Sequence, residues 1–96
     1  WDTDGNVIGE GDMGAQVAAA YTDIKETLEA HGGTFENVVK ETVFTTDMDA
    51  LEENNHIRTK FYTDAGSGPP ASTWIGCTRL ADTGMMIEVE CVAVID

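Results

Sequence analysis

Val38-Val39-Lys40-Glu41-Thr42-Val43-Phe44-Thr45-Thr46 is the stretch on which the reading of the fold turns. Its run of Val, Thr and Phe suits a pleated, half-buried surface and predicts a strand over 38–46. Helical patterns flank it on both sides. Upstream, Asp12 is placed to cap a helix running to about His31. Val17, Tyr21, Ile24 and Leu28 recur at spacings of four, three and four, which makes one apolar stripe. Gly32-Gly33 follows as a left-handed terminator. Downstream, Asp49 with Glu52 reads as a capping box for a second helix reaching about Thr63. The stripe of that helix, Leu51, Asn54, Ile57 or Arg58, and Phe61, is weaker because a polar residue interrupts it.

Beyond the second helix, Ala65 to Pro70 is a loop by composition. Two strands follow, Ser72–Thr78 and Met85–Val94, with a turn near Asp82-Thr83-Gly84. A short strand and the turn Asp2-Thr3-Asp4-Gly5-Asn6 precede the first helix. A calcium loop at that turn fails, because Met13 stands where the bidentate Glu belongs. The order of elements, ending in an expected hairpin, predicts an α+β or α/β sandwich with helices on one sheet face. In the last strand Met85, Ile87, Val89, Cys91 and Ala93 alternate with Met86, Glu88, Glu90, Val92 and Val94. Both sets are largely apolar, so burial on both sides is expected. Glu88 and Glu90 share a face. They point either at a wet seam or into a cleft where a carboxylate is poised for proton transfer or water positioning.

Ninety-six residues hold one domain at most, and so small a domain is marginal alone. The 42% hydrophobic content belongs to a folding chain. No apolar run is long enough to span a membrane. No signal peptide is visible, although the sequence opens at Trp1 without an initiator Met. The net charge of −13 opposes binding to phosphate backbones, and Lys25, Lys40, Arg58, Lys60 and Arg79 are scattered, with no basic stripe. The acidity reads as solubility charge, as a partner-binding face, or as adaptation to high salt. Its spread along the whole chain favours the last. Cys77 and Cys91 lie in apolar stretches and read as reduced, buried thiols of a cytoplasmic protein.

Taken together, Gly11-Asp12-Met13-Gly14-Ala15-Gln16, Asp23-Ile24-Lys25, Val38 to Phe44, Asn55, Phe61-Tyr62, Pro70-Ala71 and Ile87-Glu88-Val89-Glu90 resemble the Rid/YjgF family in order and spacing. The resemblance runs through all 96 residues, read as a single Rid/YjgF-like domain. It does not include the family's N-terminal β-hairpin, about two strands that would precede Trp1. The resemblance implies a chorismate-mutase-like α+β fold, a mixed β-sheet with two helices on one face. It also implies a homotrimer with ligand clefts between subunits and, for the best-known branch, hydrolysis of 2-imino or enamine acids to 2-keto acids and ammonia. In that branch an arginine after Pro-Ala clamps the substrate carboxylate through two parallel charge-assisted bonds.

Ser72 stands at that position here. A hydroxyl is neutral and cannot fork, and each lost charged hydrogen bond costs a bound carboxylate about 1.5–3 kcal/mol. Two positions on, where the branch often has Cys, this chain has Trp74, which narrows a cleft and makes it more apolar. By the same resemblance Glu88 matches the active-site Glu and Asn55 a cleft-lining Asn. Arg79 follows Ser72 at an odd offset and so should point to the opposite sheet face. Arg58 shares the helix face of Asn55 and could reach the cleft, although a surface arginine is the simpler expectation. His31 and His56 have no metal-ligand spacing. Ser72-Thr73 lacks a base for acyl chemistry, and Gly66-Ser67-Gly68 lacks the lysine of a phosphate loop. The expectation is a Rid-type hydrolase of a small imine or enamine with Glu88 positioning water, or a non-catalytic trimeric module with its ligand in the intersubunit cleft. Ser72, Trp74, Asn55 and Arg58 would bind the ligand. Neither a cofactor, a metal, nucleic acid nor a membrane is expected.

Overall fold

The computed structural model describes residues 9–96, so the turn and short strand expected near Asp2 lie outside the described residues. The element order is α1 (Met13–Ala30), a 3-10 turn (Phe35–Asn37), β1 (Val38–Thr45), α2 (Met48–Glu53), α3 (Asn55–Asp64), β2 (Ala71–Gly76) and β3 (Ile87–Ala93). Asp12 caps α1 through its side chain, which accepts from the Ala15 amide at 3.0 Å. The helix ends where the Gly33 amide returns to the Leu28 carbonyl at 2.8 Å, with Gly32 at φ +79°. Of the expected stripe, Val17, Tyr21 and Leu28 are buried and Ile24 is half-buried. The buried Gln16 side chain ties α1 to the approach to β3, donating to the Gly84 carbonyl at 2.8 Å and accepting from the Met86 amide at 2.7 Å.

The single helix expected after β1 is in fact two. Asp47, not Asp49, is the first cap, and its carboxylate accepts from the Ala50 amide at 3.1 Å. The break falls at Asn54, whose backbone sits at φ −107°, ψ 8° and whose side-chain amide donates back to the Ala50 carbonyl at 2.8 Å. Asn competes with the helix for its own backbone partners, which is why the polar residue in the stripe marks a break.

The strands pair differently from the expected closing hairpin. The sheet order is β2-β1-β3, with β1 and β2 parallel and β1 and β3 antiparallel. β1 is therefore the central strand. α2 and α3 form the crossover that a parallel pair requires, whereas the long β2–β3 connection passes over the end of β1. The strand ends are shorter than the sequence suggests, at Gly76 rather than Thr78 and from Ile87 rather than Met85. Arg79 thus stands outside β2.

Pairing sorts the side chains into two faces. On the helix side three rows cross the sheet: Ser72–Glu41–Cys91, Trp74–Val43–Val89 and Gly76–Thr45–Ile87. On the other side run Ala71–Lys40–Val92, Thr73–Thr42–Glu90 and Ile75–Phe44–Glu88. The core fills the space between the helices and the first set, with Tyr21, Phe35, Val43, Leu51, Tyr62 and Ile87 buried. The second set has no covering layer among the described residues. Burial of the last strand on both sides is therefore not found: Glu88, Glu90 and Val92 are exposed. No helix of the described residues is long and apolar enough to cross a membrane.

Candidate functional site

The row Ser72–Glu41–Cys91 lies under the two helices, and its centre is a carboxylate. Glu41 is 1% exposed. Pairing puts it on the same face as Val43 and Thr45, the apolar side of the strand, so its charge must be met inside the protein. Five donors meet it. Arg58 from α3 donates from Nε to Oε1 at 2.6 Å, and its Nη2 donates to the same oxygen. Ser72 Oγ donates to Oε1 at 3.0 Å. Tyr21 from α1 and Tyr62 from α3 donate to Oε2 at 2.8 and 2.7 Å. The donors come from α1, α3 and β2.

Arg58 is 4% exposed and is not the surface residue that its sequence context suggests. Its guanidinium chelates one oxygen of Glu41 through two nitrogens and does not fork across both. Its Nη1 donates to Asn55 Oδ1 at 3.1 Å. Its central carbon lies 5.6 Å from the ring centroids of both Tyr62 and Trp74. Burial alone would lower the Arg58 pKa, but the hydrogen bonds and charge of Glu41 outweigh it and hold the pKa above its usual value. Both phenols are pushed far up, first by burial and then by the adjacent Glu41. Burial, and then the charge of Glu41, raise the Cys91 thiol to about 11. It is a poor nucleophile at neutral pH.

The cluster opens outward at Ser72. That residue is exposed on β2, an edge strand of the described sheet, and its Oγ accepts from Trp74 Nε1 at 3.1 Å. Ser72, Trp74, Asn55 and Arg58 are thus brought together as a small polar edge backed by an indole. Glu88 does not join them. It pairs with Phe44 on the opposite face and is exposed. Arg79 is exposed, and so are His31 and His56. Among the described residues no group of three or more His, Cys, Asp or Glu is gathered to hold a metal. A groove of about 370 Å³ between α1 and β3 is lined by Ile24, Leu28, His31 and Cys91 among others. Another, of about 410 Å³, lies over Phe35 and Phe61. Neither includes Ser72 or Trp74.

Glu41, Tyr21 and Tyr62 are the residues that sequence reasoning missed as a unit. One signal was available. In a strand with Val43 on its inner face, Glu41 must share that face. An acid there demands partners.

The family model described as Endoribonuclease L-PSP matches residues 1–95. The chain belongs to this, the Rid/YjgF, family. A RutC family protein of Synechocystis is 33% identical over 93% of this chain, and protein DfrA of Myxococcus xanthus is 31% identical over 88%. The chain spans 66% and 62% of their lengths, less than two thirds of each. Among solved structures, the YjgF gene product of E. coli is 30% identical with a TM-score of 0.79, over 86% of this chain and 65% of that one. The Rid family protein YyfB of Yersinia pestis gives 25% identity and a TM-score of 0.83, over 99% and 71%. The chorismate-mutase-like α+β fold, with a mixed sheet and helices on one face, is that of these Rid/YjgF relatives.

Proposed function

We propose that this Rid-family chain binds a small, uncharged or weakly anionic molecule at the Ser72–Trp74 edge, in a cleft completed by neighbouring copies of a homotrimer. Its turnover of 2-imino acids is slow or nil. The observation that carries this reading is the use already made of Arg58: the one guanidinium beside Ser72 is buried and bound to Glu41. A ligand carboxylate arriving at Ser72 would meet a hydroxyl and an indole but, among the described residues, no free cation, on a chain of net charge −13. Both features oppose anion binding. A flat indole with a hydroxyl beside it suits a neutral or partly apolar group.

The second reading keeps the hydrolase. It is favoured by Glu88, a carboxylate free to position water, on the open face. Ser72 and Glu88 lie on opposite faces of one sheet, so a site containing both needs a second copy. The exposed Ile75 and Val92 on the Glu88 face supply apolar surface for such a contact. In that assembly a small imine or enamine would be the substrate.

The two readings separate in one assay. Ammonia and keto-acid release are measured from 2-iminobutyrate or aminoacrylate made in situ, with the full chain and an arginine-containing relative side by side. The expected rate for this chain is at least tenfold lower, the equivalent of about 1.4 kcal/mol in the barrier. Comparable rates would overturn the binding-module reading. Ser72→Arg with Trp74→Cys is expected to raise the rate.

A further inference from the structure

The surroundings of Glu41 are what a carboxylate-binding site consists of: a guanidinium, two phenols and a hydroxyl, all aimed at two oxygens. Here the carboxylate arrives from inside, on β1, the central strand of the described sheet. The donors come from α1, α3 and β2, three separate elements, and no buried side-chain polar atom among the described residues is left without a partner. One donor, Ser72, is also the exposed residue at which the cluster reaches the surface. The donor set and the ligand side therefore share an atom, Ser72 Oγ, which donates inward to Glu41 and accepts from Trp74.

We propose that Glu41 is a resident carboxylate. It fills an anion site built by Arg58, Tyr21, Tyr62 and Ser72, and by filling it excludes anionic ligands from the Ser72–Trp74 edge. Glu41 is then a specificity-determining residue, although it does not itself touch the ligand. This rests on the reading of that edge as the ligand side. A chain with a short neutral residue at 41 presents the same five donors to a small external carboxylate, and Arg58 becomes the clamp. The charge that makes Arg58 useful to an anion is present in the native chain but committed elsewhere.

The probe is formate, with acetate as a larger second probe and chloride at equal ionic strength as the control. Thermal melting and refolding yield from urea are followed for the full native chain, for Glu41→Thr and Glu41→Ala, and for Glu41→Ala with Arg58→Met. The native chain is expected to respond to formate no more than to chloride. The single variants are expected to gain several degrees in Tm with formate over chloride, in a saturable manner. A variant that does not fold in chloride still reports, since its refolding yield should rise with formate. The variant lacking Arg58 should lose that response. The inference is overturned if formate and chloride act alike on both single variants, in melting and in refolding. An equal formate response in the native chain also overturns it, because Glu41 would then not be filling the site. Rapid 2-iminobutyrate hydrolysis by the native chain defeats the ligand reading instead and leaves the formate result standing, so the two failures are distinct.

Discussion

The two faces of the sheet handle glutamate in opposite ways. On the helix side Glu41 is buried, chelated by Arg58 and bonded by two tyrosines and a serine. On the open side Glu88 and Glu90 are exposed, beside Phe44 and Thr42 in the neighbouring strand. Strands of one sheet carry all three. What separates them is not the residue but what faces it. The helices present donors over Glu41, whereas no described element faces Glu88. A charge taken out of water at position 41 is held by a complete set of partners, and a carboxylate kept in water at position 88 stays available to whatever packs there.

The largest expected effect breaks the helix-side cluster. Arg58→Met leaves Glu41 buried with no cation and should destabilise the chain by about 3–5 kcal/mol. Arg58→Met combined with Glu41→Met should cost less than Arg58→Met alone, because no uncompensated charge remains. Urea unfolding of the two variants and the native chain checks the order. A double variant weaker than the single one would mean that the cluster holds the chain by more than charge pairing.

High pH tests the same cluster without mutation. Tyr21 and Tyr62 have folded pKa values far above the ordinary 10.0, and Cys91 is raised from 9.0 to about 11. The unfolded chain therefore sheds these protons first. The stability they contribute is fully present below about pH 9 and is lost as pH climbs toward the folded values. The chain has two tyrosines, so the ultraviolet phenolate band reports on this cluster alone. The expected result is no phenolate signal while the circular dichroism is native, then both changing in one step. Phenolate appearing near pH 10 in a folded chain would count against the cluster being closed.

Much of the helix side was legible in the sequence. The stripe of α1, its Asp12 cap and the inward Val43 follow from spacing and local chemistry, and the family resemblance rests on those segments. The pairing of β2 with β1 was not legible, because two strands joined by a turn look like a hairpin whatever strand separates them in space. Arg58 was not legible as a buried residue either. Helical spacing puts it beside Asn55 but says nothing of a carboxylate in a strand 17 residues earlier. Long-range pairs between polar groups leave no periodicity, and this site is made of them.

The smallest effect on the isolated fold is expected on the open face, and there the consequence for assembly is the sharper test. Glu88→Gln removes an exposed charge that has no side-chain partner among the described residues, so unfolding free energy should change by no more than about 0.5 kcal/mol. If the open face meets other copies, Val92→Lys places a charge against apolar surface and should reduce a trimer to smaller species by light scattering, with each chain still folded. Glu88→Gln should leave the trimer intact and lower any imine or enamine turnover, since water positioning needs the carboxylate. The two variants separate two proposed uses of one face, packing at Val92 and chemistry at Glu88. An unchanged trimer with Val92→Lys would place the contact elsewhere, whereas loss of the trimer with Glu88→Gln would make Glu88 part of the contact and not a water-positioning acid.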